Sequence, residues 1–255
     1  MEHLERPDGT RLAYTVHHPD GPGTPLLLSH GFGATSAMWG PNVAALAADR
    51  PVVTWDFRGH GASDAPDDPD AYSEDAIVAD IDALLDATGA ERAALGGMSL
   101  GGYLTLAYHR AHPDRVAALI LVDTGPGFRD GEARARWNRM AEGYARAIEA
   151  DGLPRRTPEL AVARHRHLRG VVHTARRVLV QADDRVMASL PTIAVPTLVV
   201  VGEDDAGYRA GSAYMAERIP GARLVVVPGA GHAANMERPA AFDAAVAGFL
   251  AGVDG

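Results

Sequence analysis

Cysteine is absent from the 255 residues, and so is lysine: all 24 residues of the Lys+Arg count are arginine. The first absence removes disulfides, thiolate nucleophiles and cysteine-based zinc sites together. The second removes Schiff-base chemistry and the phosphate-binding lysine of Walker-type loops. Long apolar runs are missing too. No window approaches the roughly 18 uninterrupted apolar residues that a membrane span needs. The opening "MEHLERPDGTRL" is charged and lacks the apolar stretch of a signal peptide. A cytoplasmic protein with no membrane span is therefore expected. Positive charge is the minority sign, with a formal net charge of −9. An acidic surface repels phosphate backbones, so nucleic acid is not an expected partner.

What is present is a globular composition, 47% apolar and 22% charged. The length suits one large α/β domain or two small ones. "RLAYTVHH" (Arg11 to His18) roughly alternates and runs into the turn cluster "PDGPGTP", which predicts an edge strand or hairpin. Short continuous apolar runs predict strands buried on both faces. They are "PLLLSHG", "RPVVTWDFRGHG", "RAALGGM", "RVAALILVDTGPG", "VPTLVVVGEDD" and "ARLVVVPGAGH". Helical patterns lie between them. Met38 to Ala48 reads as a short helix. "SEDAIVADIDALLDATGA" has Ser73 as N-cap and Gly89 as its stop. "LGGYLTLAYHRAHP" is halted by Pro113, and "PAAFDAAVAGFLAG" closes the chain. Buried strands alternating with helices imply βαβ units and a mostly parallel sheet. From Phe128 to Leu190 that rhythm stops. The segment is arginine-rich and predicts three helices, "EARARWNRMAEGYARAIEADG", "PELAVARHRHLRG" and "TARRVLVQADDRVMASL". It reads as a helical insertion, 128–190, between two parts of one core, 1–127 and 191–255.

The stretch "LGGMSLGGYLTLAYH" crowds glycine around one hydroxyl. Gly97-Met98-Ser99-Leu100-Gly101 fits G-x-S-x-G and falls between a predicted strand and a predicted helix. In such a nucleophile elbow the serine is strained, and small neighbours let helix and strand pack close to it. The helix N-terminus also points backbone N–H groups at developing negative charge. An elbow needs a second oxyanion donor from the loop after an early strand. "SHGFGATSAMW" supplies it at Phe32, with Leu100 as the other donor. "GEDDAG" puts carboxylates at the end of a late strand, where parallel sheets present their sites. "PGAGHAANMERP" puts His232 in a loop after the last strand. Ser, acid, His is the chain order of this hydrolase class.

"HGFG", "DFRGHGASD", "GMSLGG", "VGEDD" and "GAGHAANMERP" together span nearly the whole chain outside the insertion. On these motifs the sequence resembles the α/β-hydrolase fold proteins of the esterase, lactonase and cofactor-free haloperoxidase type. The resemblance implies a mostly parallel central sheet flanked by helices, with a helical cap over the site. It implies Ser99 as nucleophile, His232 as general base and an acid after the seventh core strand. The family pattern puts that acid three residues after Gly202, at Asp205. Asp123 in "LVDTGPG" is the alternative, since some members take their acid there; its other reading is a loop cap. Serine rather than aspartate as nucleophile argues against a haloalkane dehalogenase. No metal or organic cofactor is required.

Hydrolysis of a small or medium carboxylic ester is the expected reaction. Lactone hydrolysis, C–C bond hydrolysis of a diketone and perhydrolysis use the same constellation, and a non-catalytic ligand-binding protein can retain it. Trp137, Met140 and Tyr144 share one helical face of the insertion and are candidates for the acyl pocket, with packing as the other reading. His165 and His167, with His173 nearby, predict a solvated face rather than a metal site, because i,i+2 residues diverge on a helix. His30 is expected as a structural hydrogen-bonder beside the oxyanion loop, and His60 as a loop-packing residue.

Overall fold

In the computed structural model, which describes residues 1–254, the sheet has eight strands in the order β1-β2-β4-β3-β5-β6-β7-β8. The strands are β1 (Glu2–Glu5), β2 (Arg11–His17), β3 (Leu26–Ser29), β4 (Val52–Trp55), β5 (Ala93–Met98), β6 (Val116–Val122), β7 (Thr197–Gly202) and β8 (Arg223–Val227). β1 and β2 are antiparallel; from β4 to β8 every pairing is parallel. Alternation along the strands separates two cores, as the two-residue period of a strand requires. Leu27, Leu95, Leu119 and Leu121 face one of them, with Ile77, Ile81 and Leu84 of α2 (Glu74–Ala87) and Leu104 of α3 (Leu100–Ala111). Leu26, Leu28, Ile120 and Val122 face the other. There they meet Leu46 of α1 (Gly40–Leu46) and, from the last helix (Pro239–Leu250), Phe242 and Val246. Ser73 caps α2 by accepting from the Ala76 N–H, as its sequence predicts.

The insertion leaves the sheet after β6 and returns before β7. Its helices are α4 (Gly131–Asp151), α5 (Pro158–Val162), α6 (Leu168–Arg177) and α7 (Arg185–Ser189). Three further helices complete the chain: α8 (Arg209–Arg218), α9 (Ala234–Glu237) and α10, the last helix. A small core of its own, Ala145, Ile148, Val171, Val172 and Ala175, joins α4 to α6.

Three expectations need correction. The first hairpin lies upstream of "PDGPGTP": it joins β1 to β2 through a turn closed by Arg6 and Thr10, and "PDGPGTP" carries the chain on to β3. The predicted helix over 158–170 is broken. The chain is non-helical from Ala163 to His167, because tertiary contacts take it elsewhere. His165 bonds across to the loops at Gly33 and Gly61. Gly170 then packs backbone to backbone on Gly59, where a Cβ on either residue would collide with the other. The predicted third helix is interrupted likewise, ending as α6 and resuming as α7.

One buried ion pair ties the sheet edge to α2. Asp80 is fully buried, and its carboxylate takes Arg58 at 2.7 Å and Arg6 at 2.9 Å. Removing Asp80 leaves the buried Arg58 with only the half-exposed Asp8, at 2.8 Å, as counter-charge, and breaking a buried pair costs about 3–5 kcal/mol. Asp80→Ala is expected to lower Tm by about 10 °C, measured by calorimetry. A change within error would show that Asp8 alone satisfies the Arg58 charge.

Candidate active site

Ser99 connects β5 to α3 at φ 52, ψ −117, a backbone region that side chains rarely occupy. The turn is this sharp because α3 starts directly on the strand that precedes it. A Cβ on Gly97 would run into the backbone of Gly101, and one on Gly101 into the carbonyls of Ser29 and His30. The strained residue is held on both sides. Its N–H donates to Val122 O at 2.9 Å, and its carbonyl accepts from Thr124 Oγ1 at 2.6 Å and from the Gly102 N–H at 3.0 Å.

The loop after β3 runs beside it. A Cβ on Gly31 would stand 3.5 Å from Ser99 Cβ. Among the described residues, the N–H groups of Phe32 and Leu100 donate to no protein group. A row of histidines fixes this loop from behind. His30 Nδ1 donates to Gly31 O at 2.7 Å while its Nε2 accepts from the Phe57 N–H at 3.0 Å. His60 Nε2 accepts from the Gly33 N–H. His165, from the insertion, donates to Gly33 O at 2.9 Å and accepts from the Gly61 N–H at 3.1 Å. Each ring needs one bare nitrogen for these bonds, so each is neutral. Burial works in the same direction, pushing His30 down to about 4 and His60 and His165 below the usual imidazole value. His165 is thus a strut between insertion and core, not part of a solvated face.

At the far side, His232 Nδ1 donates to Asp205 Oδ2 at 2.7 Å. Asp205 is 7% exposed. Burial disfavours the charged imidazole, but the bond to Asp205 and the charges of Asp205, Asp123 and Glu159 outweigh it and raise the His232 pKa. Asp123 does not reach the ring. Its two oxygens accept from the Gly202 N–H at 2.8 Å and the Ala234 N–H at 3.0 Å, bracing the acid loop against the histidine loop. Burial pushes its carboxyl up to about 7, against the pull of those two donors. Glu203 and Glu237 brace the same loop through Gly229, Gly231 and Ala233.

The insertion residues named from helical spacing divide. Tyr144 stacks on Phe32 with centroids 6.1 Å apart. Trp137 turns its indole to Leu179 O at 2.7 Å and packs beside Phe128. Met140 is 37% exposed. Helical spacing missed Tyr208. Its ring stacks on His232 with centroids 4.6 Å apart. The signal was the Asp205 turn itself: the Tyr208 N–H bonds back to Asp205 O, which returns the third residue after the acid to the site.

A model of the Alpha/beta hydrolase family matches residues 26–245. The chain belongs to that family. This alpha/beta hydrolase is 32% identical to a protein assigned as the carbamate hydrolase RutD of Azorhizobium caulinodans, over 95% of this chain and 96% of that one. The solved enol-lactonase of Burkholderia xenovorans LB400 is similar at 32% identity and a TM-score of 0.78, covering 96% of this chain and 98% of that one. A thermophilic esterase from Thermogutta terrifontis, with malate bound, superposes at a TM-score of 0.84 with 26% identity over 100% of both chains. None of the described helices is long and apolar enough to cross a membrane.

Proposed function

We propose that this alpha/beta hydrolase is a serine hydrolase that cleaves a small or medium carboxylic ester through an acyl-enzyme on Ser99. The observation that carries the reading is the 2.7 Å bond from His232 Nδ1 to Asp205 at the head of the sheet that presents the Ser99 elbow. With its proton on Nδ1, the imidazole has Nε2 bare to accept the Ser99 proton as the oxygen attacks the carbonyl carbon. Asp205 holds that tautomer and stabilises the imidazolium. The unengaged N–H groups of Phe32 and Leu100 suit the oxyanion, each worth roughly a hundredfold or more in rate. The imidazolium then gives its proton to the leaving alkoxide, and water, deprotonated by His232, hydrolyses the acyl-enzyme. The insertion 128–190 acts as a cap that shapes the substrate space, with Tyr144 at its edge. Carbamate and lactone hydrolysis form the second reading, favoured by the relatives of those names. They differ in the leaving group and not in these steps.

Steady-state hydrolysis of p-nitrophenyl acetate, butyrate and octanoate tests the reading. Ser99→Ala is expected to lose about 10⁴-fold or more in kcat; full activity in that variant would overturn the proposal. The chain-length trend sizes the pocket.

The pH dependence tests the role of Asp205. The base must be neutral, so activity is lost as pH falls through the His232 pKa. Asp205 helps hold that pKa above the ordinary imidazole value. In Asp205→Asn the acid limb of the kcat/KM profile is therefore expected to move to lower pH, with kcat down about 10⁴-fold. A limb that stays in place would mean another group titrates.

A further inference from the structure

Three histidines hold three successive peptide groups of the loop that carries Phe32. His30 Nδ1 donates at 2.7 Å to Gly31 O, which shares a peptide group with the Phe32 N–H. His60 Nε2 accepts at 3.4 Å from the Gly33 N–H, in the next peptide group. His165 Nε2 donates at 2.9 Å to Gly33 O, in the one after that. A peptide group is planar, so holding its carbonyl or its N–H sets the direction of the other. Two of the three rings belong to the core. The third comes from the insertion.

The His165 ring is not what keeps its own segment in place. The Arg166 N–H donates to Gly61 O at 3.2 Å, and the Arg169 guanidinium donates to Ala65 O at 3.1 and 2.9 Å. Gly170 packs on the backbone of Gly59. All of these contacts go to the loop after β4, and none goes to residues 30–34. The ring adds a bridge: Nδ1 accepts from the Gly61 N–H at 3.1 Å while Nε2 reaches Gly33 O. Among the described residues this is the only hydrogen bond from the insertion to residues 30–34. Gly33 is where such a bridge matters. Its φ is +71, and a glycine turns there at little cost, so its peptide groups need holding. Leu153 and Leu160 of the insertion lie against its Cα, but apolar contact is non-directional and does not orient a carbonyl.

We propose that His165 is a positioning residue for the reaction, holding the Gly33 peptide so that the Phe32 N–H one residue away keeps its aim at the oxyanion. The proposal rests on the serine-hydrolase reading and makes the insertion part of that site's catalytic geometry through one side chain. Without the bond, His30 and His60 hold the loop alone, Gly33 turns more freely, and the Phe32 N–H spends less time aligned. An oxyanion donor acts in the transition state, so the loss falls on kcat and not on the binding of a small ester.

Two amides separate the two ends of the ring. Glutamine reaches as far as the imidazole Nε2 and can donate to Gly33 O. Asparagine reaches only as far as Nδ1 and can serve Gly61 alone. With p-nitrophenyl acetate, His165→Asn and His165→Leu are expected to lower kcat about tenfold with KM within about twofold, and His165→Gln to stay within about threefold of wild type. Inhibition by trifluoroacetone, whose adduct with Ser99 carries an oxyanion, is expected to weaken by the factor that kcat/KM loses. Hydrogen-exchange mass spectrometry over residues 30–38 is expected to show faster exchange in the Asn and Leu variants than in the Gln variant and the wild type. Thermal melts check that each variant is folded, and His167→Gln, at an exposed position, is the control that alters none of these. An unchanged kcat in His165→Leu, a loss confined to KM, an Asn variant as active as the Gln variant, or loop exchange as slow as in the wild type would overturn the proposal. Turnover that survives Ser99→Ala would instead overturn the serine-hydrolase reading, and the loop exchange still reports whether His165 holds Gly33.

Discussion

The strain in Ser99 has to be held from outside the residue. A non-glycine residue in such a conformation costs of order 1–3 kcal/mol, and it persists only where the surroundings over-determine it. Here the surroundings are β6 and its following loop, which take the Ser99 N–H at Val122 and its carbonyl at Thr124, and α3, which begins on the next residue. The glycines at 97 and 101 are part of the same arrangement, because no side chain fits between strand, helix and the β3 loop. One constraint therefore fixes a hydroxyl at the sheet's head, a helix N-terminus behind it and the Phe32 loop alongside. Each of these is a condition of the proposed chemistry before any substrate arrives.

Carboxylates around His232 share a chemical type and differ in use. Asp205 accepts from the imidazole Nδ1. Asp123 is fully buried, but backbone N–H groups of two different loops occupy its oxygens. Glu203 and Glu237 accept from the glycine-rich loop that carries His232. A glycine-rich loop offers little side-chain packing to hold it, so hydrogen bonds to its N–H groups do that work. The bracing has an electrostatic by-product. Asp123 and Glu159 add to the field of Asp205 and keep the imidazole basic despite its burial.

Much of this was legible in the sequence because the signals are local. A buried parallel strand writes itself as an apolar run, and the elbow as glycines flanking one serine between strand and helix. Asp205, placed by its distance from Gly202, is the carboxylate bonded to His232. The misreadings arose where a distant contact decided the local structure. "PELAVARHRHLRG" has helical spacing throughout, but His165 finds better partners at Gly33 and Gly61 than a helix offers, and the Gly59–Gly170 contact fixes where α6 begins. Spacing put Trp137, Met140 and Tyr144 on one face without saying how far along the helix the site extends; Tyr144 meets Phe32, and Trp137 is claimed by Leu179. Tyr208 carries no motif; its place against His232 depends on what stands opposite it, which one chain segment cannot state.

The insertion does more than lie over the core. It touches the Phe32 loop through Tyr144 on the Phe32 ring, through Leu153 and Leu160 over Gly33, and through His165 on the Gly33 carbonyl. Phe32 itself packs against the insertion's small core. Gly33, the residue after the proposed oxyanion donor, is therefore gripped at its N–H by His60 from the core and at its carbonyl by His165 from the insertion. In a packed interior such a junction does not deform smoothly, because small volume changes are felt by every neighbour. Reshaping the insertion to admit a different acyl group would then shift the Phe32 N–H as well. Under the proposed function, substrate selection and transition-state stabilisation would be coupled through one short loop. Substitutions in the insertion should register in kcat and not in KM alone, since an oxyanion donor acts only once the carbonyl oxygen has taken up charge.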